Sequence, residues 1–268
     1  MLILPGDLAI GVSFTCNLNC RYCGHLAPWF NQKKTPHVTA TQIEQICLDW
    51  SGRVQSKNGL VITGGEPLQN PDIEPIIEIL HKHWQHEPKI RLITNGLLLE
   101  KMPSSFFDTL ERRNVITWIT VHHVKFWEKL KTSSRLFRSP YWFWDHTGTS
   151  LQHDRVQKKG NFVKNYEIVD GLPVFGQSDA RTTHDHCGIR RKCAAIVDNQ
   201  LFYCGNVLWW RKAHQENILF DERMLACTPA TPDMTDAELQ TWWDTDFYKI
   251  CDVCSAKKEF LHVSNKFE

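Results

Sequence analysis

Residues 8–23 read LAIGVSFTCNLNCRYC, an apolar run that leads directly into a loop with three cysteines. An apolar run of this length, ended by a polar loop, is typical of a buried β-strand. Three similar runs follow at residues 60–63, 90–94 and 115–121, and amphipathic stretches separate them. Strands that alternate with helices form parallel sheets with the helices outside. The sequence therefore predicts an α/β fold.

The amphipathic stretches carry helix-start signals. Thr41 and Glu44 have the spacing of a capping box, and Asn70 followed by Pro71 is a favourable N-cap and first helical residue. A third helix is predicted from residue 104 or 105, both serines, to residue 112. These signals place one helix after each of the first three predicted strands.

The number of units limits the architecture. At roughly 30 residues per βαβ unit, the first 170 residues hold five or six units, fewer than the eight of a closed barrel. We therefore predict a partial (β/α)6 barrel. Ligands of such folds bind at the carboxyl ends of the strands. The cysteine loop, residues 64–66 (Gly-Gly-Glu) and residues 94–96 (Thr-Asn-Gly) all follow predicted strands, so we expect them to line one site.

Composition and charge exclude several classes of protein. The 268 residues are 42% hydrophobic, which argues against disorder, and the formal net charge of +1 gives no electrostatic basis for nucleic acid binding. No apolar run approaches the roughly 18 residues that cross a bilayer, and the amino terminus, with Pro5 and Gly6, does not resemble a secretory signal. We expect a cytoplasmic protein whose partners are neither nucleic acid nor membrane. Its ten cysteines should then be metal ligands rather than disulfides.

The cysteines fall into two groups. Cys16, Cys20 and Cys23 form a group near the start, five others form a group near the end, and Cys47 and Cys227 stand alone. No cysteine occurs between Cys47 and Cys187. Closed zinc sites and electron-transfer Fe–S clusters normally use four protein ligands, so the first group is one ligand short. A cluster held by three thiolates leaves one iron free to chelate the nitrogen and carboxylate of an amino acid. Cys47 itself lies on the apolar face of a predicted helix, and we expect it in the core.

Residues 16–23, CNLNCRYC, resemble the CxxxCxΦC signature of the radical S-adenosylmethionine (SAM) superfamily, in which Φ is aromatic. Gly64-Gly65-Glu66 is similar to the family's GGE motif, and Thr94 with Asn95 is similar to its ribose-contacting positions. The similar segments cover nearly the first half of the chain.

The resemblance implies a 4Fe–4S cluster on Cys16, Cys20 and Cys23. Such a cluster cleaves bound SAM to methionine and a 5′-deoxyadenosyl radical, which abstracts hydrogen from an unactivated C–H bond. The implied SAM site has an aromatic residue near the adenine, the GGE motif at the methionine amino group, and a pair at the ribose: Tyr22, Gly64, Gly65, Glu66, Thr94 and Asn95. The implied partner is an electron donor of flavodoxin or ferredoxin type.

The second group of cysteines also fits an Fe–S site. Asp198 and Asn199, between two short apolar runs, favour a tight hairpin because both residues tolerate positive φ. The hairpin and a later CxxC pair resemble the Twitch domain, a shortened relative of the SPASM domain. The resemblance implies an auxiliary 4Fe–4S cluster on four ligands: Cys187, Cys204, Cys251 and Cys254. Cys193 is an alternative to one of them, and a zinc ribbon with four cysteine ligands is the alternative site.

These observations divide the chain into a radical SAM partial barrel, residues 1–170, and a small α+β cluster-binding domain, residues 171–268. The boundary precedes a stretch rich in Gly, Pro, Ser, Asp and Thr. His122, at the end of a predicted strand, is the candidate catalytic residue, with a packing role as the alternative. Cys227 is expected to be a surface thiol, with hydrogen donation to a substrate radical as the alternative.

The predicted activity is hydrogen abstraction from a small polar metabolite, such as a sugar, an aminocyclitol or a nucleoside, ending in dehydrogenation or epimerisation. Peptide-modifying SPASM enzymes are usually longer and have more cysteines in their tails, so a maturase of ribosomally made peptides is the second prediction. A zinc-stabilised binding module without turnover is the alternative of another class.

Overall fold

A mostly parallel β-sheet organises the protein. The computed structural model describes residues 1–85, 89–132, 139–145, 151, 154–159, 162–163, 165–187, 192–245, 248–254 and 260–261. Its strands are β1 (Leu2–Leu4), β2 (Asp7–Ser13), β3 (Val54–Ser56), β4 (Leu60–Gly64), β5 (Ile90–Thr94), β6 (Ile116–Val121), β7 (Tyr141–Asp145), β8 (Val156–Lys159), β9 (Phe162–Val163), β10 (Tyr166–Val169), β11 (Leu172–Phe175), β12 (Cys193–Val197), β13 (Gln200–Phe202) and β14 (Phe260–Leu261). Its α-helices are α1 (Ala27–Lys33), α2 (Ala40–Trp50), α3 (Ile73–His83), α4 (Ser104–Arg112), α5 (Trp127–Lys131), α6 (Ala180–Asp185), α7 (Gly205–Gln215) and α8 (Asp236–Asp244).

The largest sheet within the described residues has eight strands, in the order β13-β12-β2-β4-β5-β6-β7-β8. All neighbouring pairs are parallel except β12 with β13. From β2 to β8 across the sheet, the six strands stand in the same order as in the sequence. At least one helix lies between each neighbouring pair of the first five of these strands. This arrangement confirms the predicted α/β fold of the partial-barrel type. Strands β8 and β13 form the edges, so the described sheet is open.

The sheet is buried on both faces, as parallel strands usually are. Leu60, Val61 and Ile62 on the central strand β4 are all buried. In register, Leu60 lies between Leu8 of β2 and Ile90 of β5. No helix in the described part of the chain is long and apolar enough to span a membrane.

Two predicted helix starts are each wrong by two residues. Helix α2 has its capping box at Thr39 and Gln42 rather than at Thr41 and Glu44. The two pairs have the same spacing and overlap, and the earlier pair forms the cap because each residue receives the other's backbone N–H. Helix α4 begins at Ser104 and ends at Arg112, as predicted.

Helix α3 has its N-cap at Asp72 rather than at Asn70. Asn70 is buried, and its Nδ2 atom donates to the carbonyl oxygens of Val12 (2.7 Å) and Val38 (2.8 Å). Its Oδ1 atom accepts a hydrogen bond from the backbone N–H of Asp72. Asn70, the predicted N-cap, therefore connects the start of α3 to the end of β2 through hydrogen bonds.

The predicted hairpin around Asp198 and Asn199 is confirmed. Both residues have positive φ, 48° and 59°, and β12 pairs with β13 on either side of them. Strand β12 also pairs in parallel with β2, so the second cysteine group is connected to the main sheet. The domain boundary after residue 170 stays a prediction.

The isolated cysteines are both buried. Cys47 is in the core, as predicted, but Cys227 is also fully buried, so the prediction of a surface thiol is wrong. Uncharged cysteine behaves as a small hydrophobic residue, and a single cysteine in a sequence carries no exposure signal.

Asn199 provides a test of the hairpin. Its Oδ1 atom accepts from Trp50 Nε1 (3.0 Å) and its Nδ2 atom donates to Asp49 Oδ2 (2.6 Å). Asn199→Ala should lower the free energy of unfolding by about 2–4 kcal/mol, because it combines left-handed strain with the loss of two hydrogen bonds. Asn199→Gly should lower it by less, since glycine adopts positive φ freely. Urea unfolding followed by tryptophan fluorescence measures both, and equal losses would contradict the account.

Candidate active site

Three loops at the carboxyl ends of β2, β4 and β5 meet at one cavity of about 360 Å³. Its volume lies within the range of ligand sites. The structure brings most of the predicted site residues into its lining: Cys16, Cys20, Cys23, Gly64, Gly65, Thr94, Asn95 and His122. Tyr22 and Glu66, also predicted, are buried outside the described lining.

Gly64 and Gly65 allow the end of β4 to lie against the cysteine loop. A Cβ atom on Gly64 would be 2.3 Å from the Ser13 carbonyl oxygen, and one on Gly65 would be 2.2 Å from that of Thr15. The N–H of Gly65 donates to Ser13 O (2.8 Å), and the next N–H, of Glu66, donates to Thr15 O (2.8 Å). Glycine is therefore required here by the protein's own backbone, a reason that the sequence did not reveal.

Glu66 connects the ends of two strands. Its carboxylate accepts hydrogen bonds from the Leu68 N–H, the Thr94 hydroxyl (2.6 Å) and the Asn95 N–H (2.7 Å). Burial raises the pKa of Glu66 to about 7, against the opposing effect of these donors. Thr94 Oγ1 in turn accepts from the Gly96 N–H. Both residues therefore help to fix the turn in which Asn95 lies.

Cys16 is held by residues that flank it in space. The side-chain amide of Asn31, on α1, accepts from the Cys16 N–H (2.9 Å) and donates to the Cys16 carbonyl (2.8 Å). The Cys16 Sγ atom accepts from the Leu18 N–H (3.4 Å) and from Asn95 Nδ2 (3.6 Å). Burial raises the pKa of the Cys16 thiol above its ordinary value, and the Leu18 N–H opposes this shift.

Tyr166, on β10, supports the same loop from another direction. Its hydroxyl donates to the carbonyl oxygens of Cys23 (3.0 Å) and Arg21 (3.3 Å), and its ring packs against that of Tyr22. Trp29 of α1 holds the β10–β11 turn through a hydrogen bond from Nε1 to Gly171 O (2.8 Å). Sequence reasoning missed Asn31 and Tyr166, because contacts to backbone atoms leave no motif.

His25 and helix α7 close another side of the loop. The Nδ1–H of His25 donates to Gly64 O, and its ring packs against Trp209 of α7 at 4.7 Å between centroids. Burial lowers the pKa of His25 to about 4, so the ring is neutral at pH 7. Trp210 Nε1 donates to Gly24 O (3.1 Å), and Asn206, in the first turn of α7, lines the cavity.

The second cysteine group also converges. Burial raises the pKa of the Cys254 thiol, and the thiols of Cys204, Cys251 and Cys187 lie close enough to Cys254 for their charges to raise it further. Cys193 interacts with Cys204. Among the described residues, no group of three or more His, Cys, Asp or Glu side chains is arranged to hold a single metal ion.

Ser178, which the sequence did not reveal, holds the CxxC loop. Its Oγ atom lies 2.7 Å from the carbonyl oxygen of Cys254 and 3.1 Å from that of Asp252. The Ser178 N–H donates to the same Asp252 oxygen (2.9 Å). The segment that follows β11 is thus attached to the second cysteine group.

Part of the chain is similar to a known family of proteins. Residues 10–122 match the family model described as the Radical SAM superfamily. A probable GTP 3′,8-cyclase of Methanococcus aeolicus is 36% identical over 114 residues, which are 41% of this chain and 36% of that protein. A GTP 3′,8-cyclase of Helicobacter pylori is 31% identical over 98 residues, 35% of this chain and 29% of that protein. The chain thus spans about a third of the length of the curated relatives it matches.

A solved structure, of BtrN in complex with AdoMet and 2-DOIA, has the same fold. It aligns over 100% of this chain and 98% of its own, with a TM-score of 0.50 and 15% identity. Over residues 10–122, the chain is thus similar to the radical SAM superfamily. That superfamily consists of enzymes that use SAM and a 4Fe–4S cluster.

The first cysteine loop fits that cluster in the chemistry of its donors. Three thiols line one cavity, and thiolate is the form that binds iron. Because burial raises the pKa of Cys16, the iron must displace its proton on binding.

The contact between Gly65 and Thr15 predicts a specific defect. Gly65→Ala should move Thr15 and the adjacent Cys16, because the new methyl group overlaps the Thr15 carbonyl. After anaerobic reconstitution, its iron and sulfide contents should fall toward those of Cys20→Ala. Gly52→Ala is the matched control, since a Cβ atom at Gly52 meets nothing within 4 Å. Wild-type iron content in Gly65→Ala would contradict this account of the glycine.

Proposed function

We propose that the protein is a radical SAM oxidoreductase that removes hydrogen from a small polar metabolite, in a dehydrogenation or an epimerisation. The observation that carries the proposal is the shared lining of the cavity. Three cysteine thiols line it together with polar side chains suited to a hydroxylated or amino-substituted substrate: Thr120, His122, Asn165 and Asn206. A sugar, an aminocyclitol or a nucleoside has this chemistry.

The cofactor end of the cavity is proposed to lie at the cysteine loop. Cys16, Cys20 and Cys23 would hold the cluster, which supplies the electron that cleaves SAM and so provides the radical that abstracts hydrogen. Tyr22 would pack near the adenine. The turn that contains Thr94 and Asn95 would lie at the ribose.

Glu66 suits the methionine end. A carboxylate has about four lone-pair sites, and three donors from the protein occupy Glu66. Because Glu66 is fully buried outside the cavity lining, an ammonium group would bind at the backbone of Gly64 and Gly65, which line the cavity, with the Glu66 carboxylate nearby. A positive charge there would lower the pKa of Glu66 and keep it ionised.

His122 is proposed as the group that contacts the substrate or accepts its proton. It follows the last residue of β6 and lines the cavity, as active-site residues in this architecture do. Dehydrogenation removes a hydrogen atom, then a proton and an electron. The hydrogen atom passes to the cofactor-derived radical, and His122 would receive the proton.

The remaining electron needs an acceptor. We assign this part to an auxiliary 4Fe–4S cluster on Cys187, Cys204, Cys251 and Cys254 in a Twitch-type domain. The grouping of the four thiols supports this ligand set. A flavodoxin or ferredoxin of the cytoplasm would supply the first electron.

The size of the cavity favours a small substrate over a peptide. About 360 Å³ must accommodate the cofactor's reacting end as well as the substrate. The relatives named GTP 3′,8-cyclase keep nucleosides and nucleotides among the candidates.

The proposal is tested with the anaerobically reconstituted protein and a panel of deuterated sugars, aminocyclitols and nucleosides. With a substrate, deuterium should appear in 5′-deoxyadenosine, and Cys20→Ala should form none. His122→Gln should still cleave SAM, but its rate of product formation should fall by a factor of about 10²–10⁴. The matched control is His123→Gln, because the His123 ring instead accepts from the Lys125 N–H.

Three results would contradict the proposal. Bound zinc without sulfide would show a metal-stabilised module instead of a radical enzyme. Turnover only of a co-purifying precursor peptide would show a maturase. Absence of 5′-deoxyadenosine with every panel member, although both clusters are present, would exclude this substrate class.

A further inference from the structure

The side chain of Asn95 contacts the cysteine loop directly. Its Nδ2 atom lies 3.6 Å from Cys16 Sγ and 2.7 Å from Asn17 Oδ1. The two hydrogens of the amide are therefore both directed at the loop. Asn95 is 6% exposed, so water competes little for these hydrogens.

The orientation of this amide is fixed by its other contacts. Asn95 Oδ1 accepts from the Leu97 N–H (3.0 Å), which requires an oxygen at that position. The Asn95 N–H donates to Glu66 Oε2 (2.7 Å), which holds the turn from the other side. The nitrogen of the amide, and not its oxygen, consequently faces Cys16.

A hydrogen bond to a ligand sulfur changes the chemistry of an Fe–S cluster. The sulfur carries more negative charge when the cluster is reduced, so an N–H donor stabilises the reduced form more than the oxidised form. Such bonds are among the determinants of cluster reduction potential. Cys16 has two of these donors, Asn95 Nδ2 and the Leu18 N–H.

We infer that Asn95 is a positioning residue that raises the reduction potential of the cluster through its hydrogen bond to Cys16. This inference rests on the proposed function, in which Cys16 is a cluster ligand. It differs from the ribose contact expected from the sequence, because both polar atoms of the amide are occupied within the protein. Asn95 thus links the turn after β5 to Cys16, the proposed iron ligand.

Asn95→Asp and Asn95→Leu separate the parts of this contact. Aspartate keeps an oxygen for the Leu97 N–H but replaces the donor at Cys16 with an acceptor. Leucine removes the donor without adding charge. Asn165→Asp is the control, because it adds the same charge to the lining of the same cavity through a different residue.

The measurement is a potentiometric titration of the full-length, anaerobically reconstituted proteins, followed by electron paramagnetic resonance. The auxiliary site is removed from every protein by Cys251→Ala and Cys254→Ala, so one cluster is observed. Both Asn95 variants should have more negative midpoint potentials than their parent, and Asn95→Asp should lower the potential more than Asn165→Asp, because only Asn95→Asp also removes the donor to Cys16. A tenfold smaller ratio of reduced to oxidised cluster corresponds to about 59 mV for a one-electron couple.

Midpoint potentials equal to that of the parent, at equal iron content, would overturn the inference. Loss of the cluster from both Asn95 variants would also overturn it, because the amide would then only hold the loop. The parent is the protein that carries only Cys251→Ala and Cys254→Ala. If it shows no cluster signal, the proposed function is overturned as well. This failure is distinguishable, because it is seen in the parent before any Asn95 variant is compared.

Discussion

The site depends on the close approach of two backbones. The end of β4 lies against the residues that lead from β2 into the first cysteine loop, and only glycine at positions 64 and 65 leaves room for this contact. Two backbone hydrogen bonds join the segments there. Because parallel strands present their carboxyl ends at one edge, this contact brings the cysteine loop to the same cavity as the turn after β5. The position of the three thiols follows from that contact.

Other residues then hold the loop from separate directions. Asn31 binds the backbone of Cys16 on both sides, and Tyr166 binds the carbonyl oxygen of Cys23. The segment that begins at Tyr166 continues to Ser178, which holds the second cysteine loop. One short stretch of chain therefore contacts both groups of cysteines. Such support is what a catalytic site requires when its reacting groups must keep a fixed geometry.

The sequence predicts those parts of the site that are local. Spacing defines the two cysteine groups, and strand periodicity places the loops after β2, β4 and β5 at one edge. The contacts of Tyr166 and Ser178 could not be predicted, because they join side chains to carbonyl oxygens 143 and 76 residues away and any residue type supplies a carbonyl. The predicted start of α2 is wrong because two capping pairs with the same spacing overlap. Glu66 is recognisable from its motif, but its burial depends on contacts that only the fold creates.

The proposed radical chemistry depends most on one coordination position that the first cysteine loop does not fill. The most direct test is the electron paramagnetic resonance spectrum of the reduced protein, recorded with and without SAM under anaerobic conditions. Addition of SAM should change the signal of one cluster, and that signal should be missing from a variant with Cys16, Cys20 and Cys23 all replaced by alanine. A spectrum that SAM leaves unchanged, or a SAM-responsive signal that survives the triple replacement, would contradict the assignment of this loop as the site of radical formation.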